Sequence, residues 1–256
     1  MVQNRVLPCL LVQNGKLVKT EKFKNPQYVG DPVNAIKIFN EKEVDELMLC
    51  DISEGRAVNG PDISLIQRIA DECFMPLTYG GGITKLEQIK TILKSGVEKV
   101  VLNSALEKSV RLLNEGASVF GAQCMVASMD VKKDWLGRYK VCYQSGKRMT
   151  EESPEAFVER VVQSGAGEIL VSNIDRESSW KGLDVELIKS VTSVSTVPII
   201  VTGGAGSTDH IKEAIIKGGA SAVALGSMAV FQQKGLGVLI NFPNEQKLKE
   251  INYLKK

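Results

Sequence analysis

Eight short apolar runs, rich in β-branched residues, recur along the chain with longer amphipathic stretches between them. That βαβα rhythm is the pattern of a parallel sheet, in which each helical crossover carries the chain back to start the next strand in the same direction. The runs fall near residues 6–12, 46–51, 75–80, 98–103, 124–130, 167–173, 197–202 and 221–226. Their near-continuous hydrophobicity suits strands covered on both faces. Helical patterns lie at 32–42, 61–73, 84–95, 106–117, 152–164, 183–193 and 207–218. Eight strands with helices between them, in 256 residues, predict an α/β protein: a closed (β/α)8 barrel of the TIM type, formed as one domain over 1–256. A doubly wound open sheet is the rival, but no GxGxxG follows the first run. Any eighth helix lacks the usual pattern.

An internal repeat supports closure. YGGGITKLEQIKTILKSGVEKVVLNSA, from Tyr79, returns about 123 residues later as TGGAGSTDHIKEAIIKGGASAVALGSM, from Thr202. DELMLCDI around Glu46 likewise matches GEILVSNI around Glu168. Hairpin-like insertions follow the first strand (13–31) and the fifth (132–150). Two half-barrels, about 1–120 and 121–240, account for this pattern.

Composition narrows the function classes. A net charge of +2 gives no pull toward nucleic acid or a membrane surface. Lys247, Lys249, Lys255 and Lys256 read as a short solvated basic end. The start lacks the apolar core of a secretory signal, and no apolar run approaches a membrane span, so a cytoplasmic setting is expected. Five scattered cysteines without a CxxC pair predict reduced core thiols and no metal site. The lone histidine, His210, argues against Ser-His-Asp hydrolysis and against a multi-histidine metal centre.

Barrel active sites lie at the C-terminal ends of the strands. The polar residues there are Asp51, Gly80 to Gly82, Asn103 and Ser104, Asp130, Asn173 and Asp175, Gly203 and Gly204, and Gly226 and Ser227. A glycine turn between strand and helix lets backbone N–H groups approach an anion, and the helix dipole favours the negative charge. Tight turns alone would also explain such glycines, but the turn occurs twice, each time partnered by a hydroxyl. Two phosphate sites across one mouth imply an elongated substrate with a phosphate at each end. Asp130, flanked by apolar residues, has two readings: a general acid or base with a raised pKa, or a cap on the following turn. Its counterpart in the repeat is Leu11, which excludes paired-carboxylate catalysis between these positions. At the opposite strand ends, Arg5, Glu46, Lys99 and Glu168 should converge as a charged ring.

The chain resembles the HisF family, the cyclase subunit of imidazole glycerol phosphate synthase. The likeness rests on RVLPCL, LVK at 17–19, GDP at 30–32, DEL…DI at 45–52, YGGGI, GVEKV, NSA, SMDVK, SGK at 145–147, GAGEIL, IDR and GGAG, and extends to about residue 231. It implies a barrel whose bottom docks a HisH-like glutaminase, with ammonia passing along the axis to a bis-phosphorylated ribulosyl carboxamide. No cofactor is implied. By the same resemblance Arg5, Glu46, Lys99 and Glu168 form the ammonia gate. Gly81, Gly82, Asn103 and Ser104 hold one phosphate; Gly203, Gly204, Gly226 and Ser227 hold the other. Asp130 is one of two catalytic aspartates, Lys19 (also a phosphate- or substrate-binding residue) and Phe23 belong to a mobile first loop, and Glu98 and Gln123 lie toward the glutaminase.

Departures from the family pattern concentrate at the top. Leu11 stands where the other catalytic aspartate is expected, which removes a group typically worth about 10²–10⁴-fold. The family's IDRDGTxxG reads IDRESSWKG here, so Glu177 and Ser178 replace an Asp-Gly pair at a turn suited to glycine, and Trp180 adds bulk. HisF-like paralogues with such changes are associated with bacterial surface-polysaccharide pathways, where a third protein, an amidotransferase, makes acetamidino sugars. Three readings are therefore open: ammonia channelling for sugar amidination, histidine-pathway cyclisation, and a scaffold that only activates a glutaminase.

Overall fold

The computed structural model describes residues 4–252. Eight parallel strands close on themselves: β1 (Arg5–Gln13), β2 (Leu47–Asp51), β3 (Leu77–Gly80), β4 (Lys99–Leu102), β5 (Met125–Lys133), β6 (Glu168–Asn173), β7 (Ile199–Thr202) and β8 (Ala222–Leu225). β1 pairs with both β2 and β8, and β5 pairs with β6, so the sheet has no free edge around the ring. The strands lie within three residues of the apolar runs that announce them.

Helices α1 (Pro32–Glu41), α2 (Ile63–Ala70), α3 (Leu86–Lys94), α4 (Arg111–Phe120), α5 (Pro154–Gln163), α6 (Val185–Val194) and α7 (Thr208–Ile216) follow the first seven strands. Each turns an apolar stripe inward; α2, for example, buries Leu65, Ile66 and Ile69. Several starts are set by a side chain that satisfies a free N–H. Asp31 accepts from Asn34 N ahead of Pro32, and Asp62 and Asp184 cap α2 and α6. Two helices differ from the sequence pattern. The stretch from 106 does not begin a helix: Ser104–Glu107 forms a 3₁₀ turn that buries Leu106, and α4 starts at Arg111, whose N–H meets Ser109 Oγ at 3.1 Å. α2 is shorter than 61–73: Asp62 caps its start, and the helix ends at Ala70 with Asp71 as its C-cap. A last helix, α8 (Glu245–Asn252), lies against α7 with Lys212 Nζ 3.2 Å from Glu250. Lys255 and Lys256 of the basic end lie outside the described residues.

Alternation along the strands separates two cores. Outward residues join the helices in one large apolar layer. Inward residues fill the lumen: Leu7, Met48, Val101, Val126, Leu170, Ile200, Ala222 and Ala224, with Cys9 and Cys50 above them. Both insertions are antiparallel extensions at the barrel top. Lys16–Glu21 and Lys24–Gly30 continue β1, with Leu11 opposite Val18; Tyr139–Tyr143 and Arg148–Met149 continue β5, with Asp130 opposite Cys142. No helix among the described residues is long and apolar enough to cross a membrane.

Asp31→Ala removes a cap worth about 1 kcal/mol. We expect a thermal melt to show Tm lowered by roughly 2–4 °C, with the folded spectrum unchanged.

Candidate functional site

Strand alternation sends Arg5, Glu46, Lys99 and Glu168 to one level at the N-terminal end of the lumen, and there they meet. Arg5 donates to Glu46 at 2.7 Å and to Glu168 at 2.8 Å. Lys99 Nζ lies 3.3 Å from Glu46 and 3.2 Å from Glu168, and Thr78 Oγ1 adds a 3.4 Å contact to Glu46. Each carboxylate touches both cations, so the ring is balanced, and the side chains are 6–22% exposed. Above it the bore is apolar as far as Cys9 and Cys50. These two thiols meet: a hydrogen bond lowers the pKa of the Cys9 thiol and raises that of Cys50. Glu98 and Gln123 are exposed at the bottom end, beside β4 and β5.

At the top, Leu11 and Asp130 occupy equivalent places on opposite strands. Leu11 lies in register with Cys50, and Asp130 with Ser172 one half-barrel away. Leu11 offers no proton. Asp130 is buried and accepts from Asn103 Nδ2 at 3.2 Å. Burial raises its carboxyl to about 7, and the Asn103 hydrogen bond opposes the rise.

The duplicated glycine turns share one geometry. Gly81 has φ +132° and Gly203 φ +102°; a methyl on Gly81 would sit 2.5 Å from the Asp51 carbonyl oxygen, and one on Gly203 2.6 Å from that of Asn173. Both positions thus need glycine for close passage of the preceding strand end as well as for backbone conformation. Gly82 packs on the Arg56–Gly60 turn, and Gly204 on Gly182.

The two sides then diverge. On the first side Ser104 is exposed, and Arg56 is tied to Asp51 at 2.7 Å and Asp62 at 3.2 Å. On the second side Ser227 is only 6% exposed, because Ser178 Oγ lies 2.7 Å from its hydroxyl. Ser178 holds φ +59°, so the left-handed turn is kept without glycine. That conformation costs about 1–2 kcal/mol, which a hydrogen bond from Ser178 Oγ to Thr20 O at 2.7 Å helps to offset; Glu177, 3.2 Å away, shares the same hydroxyl proton. Glu177 is buried and in direct contact with Lys19 Nζ; it also accepts from Thr20 Oγ1 and Phe23 N, each at 3.2 Å. Burial pulls the Lys19 ammonium down to about 8, which still leaves it charged beside Glu177 at neutral pH. Trp180, at φ +62°, sets its carbonyl against Gly206. His210 serves the loop: its Nδ1 accepts from Gly206 N at 3.2 Å.

Sequence reasoning placed Lys19, Phe23, Glu177 and Ser178 near the mouth but not in one network, and it passed over Thr20, Arg56 and Asp62. The repeat held a signal for the last two. ISEGRAVNGPD from Ile52 aligns with IDRESSWKGLD from Ile174, which sets Arg56 against Ser178 and Asp62 against Asp184. Among the described residues no group of three or more His, Cys, Asp or Glu is placed to hold a metal ion.

Arg5→Ala leaves two carboxylates facing Lys99 alone. Partial exposure sets the cost between an open pair and a buried one, about 2 kcal/mol, readable as a lower urea midpoint. For Asp130 the folded pKa lies above the unfolded value near 3.9. The folded state therefore binds the extra proton, and this group's contribution to stability falls as pH rises from about 4 to about 7. The difference in melting temperature between wild type and Asp130→Asn should follow that sign, and carboxyl ¹³C NMR should place the titration near 7 rather than 4.

A family model described as "Histidine biosynthesis protein" matches residues 5–234. A Pseudomonas aeruginosa protein named "Putative imidazole glycerol phosphate synthase subunit hisF2" is 45% identical over 97% of this chain and 99% of its own. A Leptospira interrogans protein named "Putative imidazole glycerol phosphate synthase subunit HisF" is 44% identical over 99% of this chain and all of its own. The "Imidazole glycerol phosphate synthase subunit HisF" of Geobacillus kaustophilus is 37% identical over 93% of this chain and 94% of its own. With the barrel closed and the glycine turns duplicated, the chain belongs to the histidine biosynthesis protein family, among its HisF-type members.

Proposed function

We propose that this chain is the ammonia-conducting subunit of a cytoplasmic glutamine amidotransferase complex, and that the ammonia serves to amidinate a nucleotide-linked sugar in surface-polysaccharide (lipopolysaccharide O-antigen) synthesis. The observation that carries the reading is Leu11, facing the mouth where a second proton-handling group would oppose Asp130. Ring closure by an acid–base pair has lost one partner, while the route for ammonia keeps its parts. A balanced ring of Arg5, Glu46, Lys99 and Glu168 opens onto an apolar bore. Such a bore favours neutral ammonia over ammonium, whose desolvation is prohibitive. A HisH-like glutaminase would dock on the bottom, where Phe74, Glu98, Val119 and Gln123 are exposed. A third protein, the amidotransferase proper, would receive ammonia at the top. There Gly81, Gly82, Asn103 and Ser104, and across the mouth Gly203, Gly204, Gly226 and Ser227 with Lys19, are the candidate anion-binding groups. The higher identity to relatives with provisional names than to the Geobacillus subunit supports a paralogue's role.

The second reading, a histidine-pathway cyclase, is favoured by Asp130, which keeps a pKa suited to general acid–base work at neutral pH. Incubation with ammonium salt and the bis-phosphorylated ribulosyl carboxamide separates the two. We expect no imidazole product from wild type and a gain of about 10²-fold or more over background for Leu11→Asp; rapid turnover by wild type would sink the channelling proposal. In the complex with its glutaminase, Arg5→Ala should uncouple glutamine hydrolysis from amination, whereas a mere scaffold would show no such uncoupling.

A further inference from the structure

We propose that Glu177 is an internal occupant of the second anion site: it latches the first hairpin over the mouth and leaves the barrel competent for a ligand with a single phosphoryl group. The inference rests on the reading of the glycine turns as phosphate sites, and it adds that only the first-half turn is open.

The asymmetry lies in matched positions. On the first side, Gly55 and Arg56 align with Glu177 and Ser178, so a glycine stands where the second side has a carboxylate. Arg56 is already engaged by Asp51 and Asp62, and Ser104 faces solvent. On the second side both side chains that would meet a phosphate, Ser227 and Lys19, are already engaged. Ser227 Oγ is bonded to Ser178 Oγ at 2.7 Å. The Lys19 stem lies over Gly226, with Cε 3.1 Å from where a Cβ on that glycine would be. The Lys19 ammonium is held by the Glu177 carboxylate and by Thr20 O at 2.8 Å.

Glu177 does what a bound phosphate would do. Its oxygens accept from an ammonium, a hydroxyl and a backbone N–H, those of Lys19, Thr20 and Phe23. Three of its partners come from the first hairpin, so the same contacts that fill the subsite hold the hairpin down. A doubly anionic phosphate arriving there would meet a buried carboxylate of its own sign, with the cation already neutralised. At the open side it would meet backbone donors, the Ser104 hydroxyl and no facing carboxylate at the matched position.

Equilibrium dialysis of radiolabelled inorganic phosphate against the full chain counts the sites. We expect one phosphate per wild-type chain, lost in Ser104→Glu, and two per chain in Glu177→Ala. Adding Lys19→Ala to Glu177→Ala should return the count to one. Should Glu177→Ala fail to fold, Glu177→Gln keeps the shape and removes only the charge. It should show a second phosphate binding at least about tenfold more tightly than wild type allows, together with faster tryptic cleavage at Lys22 and Lys24. Two phosphates on wild type, or one on wild type and on every folded Glu177 variant, would overturn the proposal. Phosphate binding to none of the proteins would overturn the phosphate reading of the turns, and this inference with it.

Discussion

Closure of the parallel sheet is the constraint on which everything else rests. Once β1 pairs with β8, each strand must send alternate residues into a lumen with no other outlet. Residues far apart in sequence are thereby stacked in levels. Arg5, Glu46, Lys99 and Glu168 come from four strands and share one level, and charges in that position are tolerated because each finds two partners. The next levels are apolar. The top level, with Leu11, Asp130 and Asn103, faces the loops that define the chemistry.

Duplication supplies a reference within the molecule. The two glycine turns have nearly the same backbone and the same crowding against the preceding strand end. Their common architecture makes departures legible: Leu11 against Asp130, Gly55 against Glu177, Arg56 against Ser178. The bottom of the barrel retains a balanced charge set, and the changes gather at one side of the top. An apolar bore lies between the part that would handle ammonia and the part that would hold substrate.

The second-side mouth shows how a local rule is broken and compensated. Ser178 sits in a left-handed conformation that glycine would adopt without cost. Its hydroxyl gains three partners that glycine could not have, on Thr20, Glu177 and Ser227. The same substitution that strains the backbone therefore fastens the hairpin to the barrel.

Much of this was present in the sequence. Apolar runs fixed the strands, because a strand buried on both faces has no polar positions to hide. The repeat of the glycine turns exposed the twofold plan, and the placement of Arg5, Glu46, Lys99 and Glu168 at strand beginnings was enough to predict a ring. The resemblance to HisF located Leu11 and the altered loop at 177–180. Other features belonged to the tertiary structure alone. The start of α4 depended on a 3₁₀ turn anchored by buried Leu106, which a helical period cannot distinguish from a helix. The network of Lys19, Thr20, Phe23, Glu177 and Ser178 joins segments more than 150 residues apart, with hydrogen bonds such as Thr20 to Glu177 at 3.2 Å. Periodicity reports which face of an element is buried; it carries no information on which polar side chains meet when two loops fold over the same opening. That meeting is decided by closure of the barrel, which brings β1 and the loop after β6 to one mouth.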